Sequence, residues 1–333
     1  MRVAFVTRDW GCSVSREGAL HGNFDVLDGL RAALGAGIEV VHVEVPETGH
    51  DPSRLFPPPE LDDIRADLGG LHLEGFDAVL VNEPGFCPAL TMLCVPHTLL
   101  VHLEWWRDID AKWGLLKKFL PFAHRAIVPK ASMLGRAEML IGRAGWLPWP
   151  VESVVLEDKA KSWVAREYDC VWIGREDAVK DPGYAMRVLK ELALKGLRCA
   201  MWWSYTSAHM PDVLAGHGIE CFVGQRVGPE VYGNTRAVLS TSRTESYGMT
   251  LIAGAMAGAT PVVPREICAD HLYPFAVECL DVQRRTSTMV DTVCEAVADE
   301  QQMKARMLWA QKSFGAEHRL GEWWRNAIMG EEG

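Results

Sequence analysis

Short apolar runs alternate along this chain with stretches of helical spacing. Arg2–Thr7 is an apolar, β-branched run that reads as a buried strand. Asn23–Leu34 places Phe24, Leu27, Leu30 and Leu34 on one helical face, and Ile38–Val45 is strand-like again. Asp77–Asn82, Thr98–Leu103 and Arg125–Pro129 continue the series, and such alternation predicts a parallel sheet covered by helices. The rhythm breaks at Leu147-Pro-Trp-Pro-Val151, where two prolines exclude regular structure and predict a hinge. A second series follows: a strand at Asp169–Ile173, a helix at Gly183–Leu194, and strands at Cys199–Trp203, Glu220–Val223, Ala237–Ser240 and Thr260–Val263. Helices over Thr286–Asp299 and Gln301–Phe314 close it. The expected architecture is α/β, with two Rossmann-like domains spanning 1–149 and 150–317. Their strand ends should face one cleft, where ligands bind in such folds. A last helix over 318–333 is expected to return to the first domain, with its tryptophans as packing residues.

A chain of 333 residues is long enough for two such domains. With 48% hydrophobic and 23% charged residues it reads as globular rather than disordered, and no apolar run reaches the ~18–20 residues of a membrane span. The opening residues lack the pattern of a signal peptide, and the nine cysteines include no C-x-x-C pair. Several cysteines lie in strand-like runs, so reduced core thiols and a cytoplasmic location are expected (host cytoplasm for a viral protein), without a structural zinc. The net charge of −10 is uneven: residues 105–150 hold 8 Lys and Arg against 3 Asp and Glu, whereas residues 1–104 hold 6 against 16.

The most informative chemistry lies at Ser240-Thr-Ser-Arg-Thr-Glu-Ser-Tyr-Gly-Met-Thr250. An apolar strand precedes it and a small-residue helix, Leu251–Gly258, follows. A strand–loop–helix unit aims the first backbone N–H groups of its helix into the loop, where a phosphate fits. Gly248 permits close approach to the backbone, and Glu245 offers acceptors for ribose hydroxyls. Upstream, Gly174-Arg175 ends a strand and Lys180 precedes a helix, two cations suited to a diphosphate. The exit of Glu220-Cys-Phe-Val-Gly-Gln-Arg-Val-Gly228 can hold a base edge through backbone groups, and Glu230–Tyr232 follows.

In this order, "Gly-Arg … Lys-Asp-Pro", "Val-Gly", "Glu-Val-Tyr", "Ser-Arg-Thr-Glu-Ser-Tyr-Gly-Met" and "Ala-Met-Ala-Gly-Ala-Thr-Pro-Val-Val" resemble the donor domain of GT-B retaining glycosyltransferases. The similarity is to the glycogen-synthase-like group that includes sucrose synthases and mannosyltransferases. It is specific over about residues 171–264, and Leu147-Pro-Trp-Pro-Val151 resembles that family's linker. The resemblance implies a nucleotide-diphosphate sugar donor, UDP-sugar by expectation, and no metal or other cofactor. It assigns Arg175 and Lys180 to the diphosphate, together with His102 beside the transferred sugar as the catalytic set. It assigns Gly11, Gly174, Arg226, Val227, Glu245, Ser246, Tyr247, Gly248, Met249 and Thr250 to donor binding. One departure stands out. The family's second glutamate, eight residues after Glu245, is absent, with Ala253 and Gly254 in that place. Asp108-Ile-Asp110 matches the D-x-D of metal-dependent transferases, but it falls in a helix-like stretch and is read as coincidence.

The acceptor half carries the basic, aromatic segment 105–130. Trp105, Trp106, Arg107, Lys112, Lys117 and Lys118, with Glu104 as a base, are candidate acceptor residues. Cations can hold backbone phosphates and aromatics can stack on a displaced base. The resemblance to phage-type enzymes of this architecture implies the narrower expectation, a hydroxymethylated pyrimidine (5-hydroxymethylcytosine) in DNA. The same composition also suits an anionic membrane surface or an ordinary packed helix. A lipid, saccharide or small-molecule acceptor, a non-catalytic nucleotide-sugar-binding module and an epimerase stay open beside it. The oligomeric state is not legible.

Overall fold

A computed structural model of the chain describes residues 1–8, 22–45, 73–82, 86–101, 114, 116–129, 131–151, 153–175, 178–203, 210–225, 227–243, 245, 247–265, 277–279, 284–316 and 319–329. They divide into two units, each built on its own six-stranded sheet. The first takes in β1 (Arg2–Arg8), Asn23–Val151 and the chain from Leu320; the second takes in Glu152–Arg319.

In the first unit β1 is followed by α1 (Gly22–Leu34), β2 (Glu39–Val45), β3 (Ala78–Val81), α2 (Cys87–Met92), β4 (Thr98–Leu100), β5 (Arg125–Val128), α3 (Ala131–Ile141) and β6 (Ala144–Trp146). The sheet order is β2-β1-β3-β4-β5-β6 and every described pair is parallel. Its core joins Ala4, Val6, Val79, Val81, Leu99 and Val128 from the strands with Leu90, Leu116 and Met133 from the covering segments. The segment Leu147–Val151 is irregular, as its prolines dictate, yet it is buried. Trp149 is fully enclosed, and Gly29 of α1 lies so close that a Cβ there would fall 1.9 Å from the Pro150 carbonyl oxygen.

The second unit begins with α4 (Ser153–Lys159) and runs through β7 (Tyr168–Gly174), α5 (Pro182–Leu194), β8 (Cys199–Trp203), α6 (Met210–Ala215), β9 (Glu220–Val223), α7 (Pro229–Gly233) and β10 (Thr235–Leu239). It continues with α8 (Met249–Met256), β11 (Thr260–Pro264), β12 (Val277–Cys279), α9 (Thr286–Ala298) and α10 (Met303–Phe314). A final helix, α11 (Arg319–Met329), belongs to the first unit: the Trp324 indole N–H donates to the Pro148 carbonyl at 2.8 Å, its ring meets Trp149, and Arg325 donates to the Ala33 carbonyl.

The second sheet has the order β12-β11-β10-β7-β8-β9, again all parallel. Strand order reverses between β7 and β10, so their carboxyl ends flank the position where doubly wound sheets leave a crevice. All seven residues of β7 are buried, as a central parallel strand covered on both faces requires. Cys170 and Cys199 are register partners on β7 and β8; burial pushes both thiols up, Cys199 to about 12, so they are packing groups rather than thiolate nucleophiles.

Two structural anchors have no counterpart in the sequence reading. Arg166 is fully buried and donates to the carbonyls of Lys161, Thr235 and Ala257, the last at 2.9 Å. Ala257 is the C-cap of α8, so this cation also meets the negative end of that helix. In the first unit His97 is 3% exposed. Its Nδ1 bonds the Val95 carbonyl at 2.8 Å, which makes Nδ1 the protonated nitrogen. Nε2 is buried with no hydrogen-bond partner among the described residues, and the His124 ring stands 5.1 Å away edge to face. Among the described residues no helix is long and apolar enough to cross a membrane.

Burial holds His97 below its ordinary value of 6.5, with the charge of His124 adding to the effect and the Val95 bond opposing it. The unfolded chain takes up its proton at a higher pH than the folded one, so stability falls as pH drops through about 6.5 and below, by up to about 1.4 kcal/mol per pH unit. Thermal unfolding should therefore show a lower Tm at about pH 5.5 than at about pH 7.5. His97→Asn should flatten that difference, and an unchanged slope in the variant would remove this role from His97.

Candidate functional site

The second unit brings the two cation and carboxylate signals together at the exits of β7 and β10. The strands are in register, Leu239 beside Trp172, so the segments that follow them emerge side by side. A single hydroxyl links them: the Trp172 indole N–H donates to Thr241 Oγ1 at 2.9 Å, and Thr241 Oγ1 donates to the Lys180 carbonyl at 2.8 Å. The Arg243 amide adds a bond to the Val179 carbonyl at 2.7 Å. Across this junction Lys180 Nζ meets Glu245 Oε1 at 2.6 Å, and Ser242 Oγ donates to the same oxygen at 2.7 Å. The Glu245 side chain is 7% exposed and that of Lys180 20%, so the pair is shielded without being sealed.

Asp181 adds a second layer. It starts α5 in the left-handed region (φ 47°), its carboxylate accepts the Tyr184 amide at 3.2 Å, and Pro182 follows at the first helical position. Left-handed backbone is tolerated better by Asp than by most residues, and proline is pre-set for a helix start. Arg243 donates to Asp181 Oδ2 at 2.8 Å, and Arg284 lies 3.7 Å from the same oxygen. Asp181 and Arg243 stand within the quoted motifs, but the sequence assigned no role to them or to Arg284. Asp181 before a proline carries an N-cap signal that could have found it, and Thr241 and Ser242 stand within the informative run. Arg284 comes from far downstream and has no local signal.

The other expected donor residues take different places. Arg175 directly follows β7 and is half-buried. Gly174 is required by packing, since a Cβ there would lie 2.6 Å from the Trp172 ring. Gly248 caps α8 with φ 76°, and Met249 and Thr250 form its first turn, half-buried. The α8 N-terminus therefore opens from the same loop that carries Glu245. The Tyr247 side chain is wholly buried with its ring edge to face against Phe314, which makes it an anchor for the loop rather than a surface that meets a ligand. Val227 is half-buried in the segment before α7. At the position of the missing second glutamate, Ala253 is half-buried and Gly254 presses on β10, where a Cβ would come 2.7 Å from Val238.

Lys117 and Lys118 are exposed on a helical turn of the first unit. Gly11, His102, Glu104, Trp105, Trp106, Arg107, Asp108, Asp110, Lys112, Arg226 and Ser246 lie outside the described residues. The chemical content of the described part is thus a shielded cation–carboxylate pair, flanked by arginines, at a helix N-terminus and a topological switch point. Such a constellation suits a ligand with both phosphate and hydroxyl groups.

No protein-family model and no curated protein matches the chain by sequence. Solved structures do match. Sucrose-phosphate synthase from Thermosynechococcus elongatus superposes with a TM-score of 0.70 at 13% identity, covering 99% of each chain. AviGT4, a glycosyltransferase involved in avilamycin A biosynthesis, gives 0.62 at 15% identity over 99% of this chain and 98% of its own. An α-glucosyltransferase in complex with UDP and a 13-mer DNA containing an A:G mismatch gives 0.62 at 10% identity over 98% and 99%. The fold is GT-B, the fold of these glycosyltransferases.

The αL cap at Gly248 sets a direct test of loop geometry. Gly248→Val should lower stability by about 1–2 kcal/mol, because a side chain at positive φ crowds the carbonyl, with a smaller loss for Gly248→Asn. Urea unfolding measures both; equal stability of Val and Gly at this position would show that the cap is not held as described.

Proposed function

We propose that the chain is a retaining glycosyltransferase that moves a sugar from a nucleoside diphosphate donor, a UDP-sugar, to a hydroxyl acceptor. The observation that carries this reading is the convergence of Lys180 and Glu245 at the β7–β10 switch point, beside the N-terminus of α8. When the anomeric C–O bond breaks, its electrons go to the diphosphate; the acceptor hydroxyl oxygen bonds the anomeric carbon from the same face, and its proton passes to the departing diphosphate. Lys180, Arg175 and the first amides of α8 offset that growing charge, a preorganised electrostatic contribution of the kind that dominates such reactions. Glu245 accepts from the ribose hydroxyls, with Ser242 fixing its orientation. Glu245 also pairs with Lys180 at 2.6 Å, so each charge holds the other in place.

For the acceptor we favour 5-hydroxymethylcytosine in DNA, approached by the basic segment 105–130. The support is the local excess of cations in a chain of net charge −10, and the match over nearly the whole chain to an α-glucosyltransferase solved with UDP and DNA. One observation favours a second reading, a nucleotide-sugar-binding module without transfer: neither Ala253 nor Gly254 supplies the second carboxylate, and the packing of Gly254 on Val238 leaves no room for one at 254.

The test is to incubate the protein with UDP-, GDP- and ADP-sugars, with and without hydroxymethylated DNA, and to follow free nucleoside diphosphate and DNA mass. DNA-dependent release of UDP with one added hexose is expected. Release with DNA of unchanged mass excludes this acceptor, and donor binding without release under any condition selects the binding module. Lys180→Ala and Glu245→Ala should each weaken donor affinity about tenfold or more, the equivalent of about 1.4 kcal/mol. Unchanged affinity in both variants would remove the site assignment.

A further inference from the structure

Arg284 joins the two segments that carry Lys180 and Glu245. Its guanidinium donates to the Thr241 carbonyl and, at 3.5 Å, to the Ser242 carbonyl, the two residues on which the β10 exit turns. It lies 3.7 Å from Asp181 Oδ2 and stacks 4.9 Å from the centre of the Tyr184 ring, both at the start of α5. One planar cation thus holds the carbonyls leading into Glu245 and the residues following Lys180. The Arg284 side chain is 15% exposed and that of Asp181 18%, so the contact is screened far less than a surface ion pair. Arg243, 63% exposed, shares the Asp181 oxygen from the solvent side. Arg284 itself sits at φ 54°, an uncommon conformation for arginine that the surrounding bonds must hold.

We infer that Arg284, seated on Asp181, is a positioning residue that sets the separation and alignment of the Lys180–Glu245 pair; its consequence for the donor rests on the function proposed above. A lysine at 284 keeps a charge for Asp181 but cannot present a planar fork to two carbonyls, so it should restore only part of the effect. Methionine keeps much of the bulk over Tyr184 and removes the bonds.

Two measurements on the full chain test this. The first needs no donor: the rate of reductive methylation of Lys180, read by peptide mass spectrometry, with Lys190 of α5 and Lys195 at its C-cap as internal references. In Arg284→Met, Lys180 should react several-fold faster while the references stay constant, with Arg284→Lys between Met and Arg. An unchanged Lys180 rate, or an equal rise at all three lysines, overturns the inference. The second is a double-mutant cycle on UDP affinity. Arg284→Met should weaken binding about fivefold in the unaltered background and less than about twofold in Lys180→Ala, because coupled residues do not add. Equal losses in both backgrounds also overturn it. If the unaltered protein does not bind UDP, the donor reading fails, and the methylation rates alone decide the positioning role.

Discussion

The arrangement of the second unit depends on one hydroxyl. Thr241 Oγ1 accepts from Trp172 and donates to the Lys180 carbonyl, tying the exit of β10 to a side chain of β7 and to the turn that leads into α5. Each bond in isolation contributes about 1 kcal/mol net, but leaving a buried indole N–H or carbonyl without a partner costs about 1–3 kcal/mol. The arrangement is therefore hard to dissolve piecemeal. The side-by-side exits fix where Lys180 and Glu245 begin, and the remaining bonds of Ser242, Asp181, Arg243 and Arg284 fix where they end.

Behind the site, α8 is held at both ends and along one side. Gly248 turns the chain into it, Gly254 lets its middle lie directly on Val238 of β10, and Arg166 takes up the Ala257 carbonyl at its far end. Arg166 is satisfied by carbonyls and lies over the Trp163 ring. Although burial, and to a lesser degree Arg236, lowers it to about 10, it keeps its charge at neutral pH. A cation at the C-terminal end and an open N-terminal end give the helix a fixed field direction toward the loop that carries Glu245. Tyr247 against Phe314 and α8 against β10 thus tie the described residues of this loop to the core.

Much of this was legible in the sequence because the local pattern and the fold agree. The strands read at 199–203 and 260–263 stood out as continuous apolar runs, the pattern of strands covered on both faces, and both are buried throughout; the loop at 240–250 stood out by its small polar residues between strand and helix. The strands at 144–146 and 277–279 were missed, being three residues long, too short for periodicity to register. The prolines at 148 and 150 correctly excluded regular structure, yet composition could not reveal that Trp149 is enclosed beside Trp324 from the far end of the chain. Glycine was ambiguous in the same way. Gly248 answers to a positive φ and Gly174 to a neighbouring indole, and both look alike in sequence. Arg284 was invisible because its partners, Thr241, Ser242 and Asp181, are brought to it only by the sheet order.

The same sheet order bears on the missing glutamate. At position 254 the constraint is steric: helix and strand approach so closely that a side chain would displace Val238. At 253 alanine is half-buried one helical turn beyond Met249 and Thr250. A glutamate at 253 would set a second carboxylate on the helix that carries the proposed phosphate-binding amides, where Glu245 already supplies one opposite Lys180. Its absence leaves that end of α8 less negative. In the proposed donor site this favours the diphosphate while removing one anchor from the sugar. Sugar selectivity would then depend more on groups outside the β7–β10 junction, whereas the nucleotide half stays fixed by bonds that run into the core.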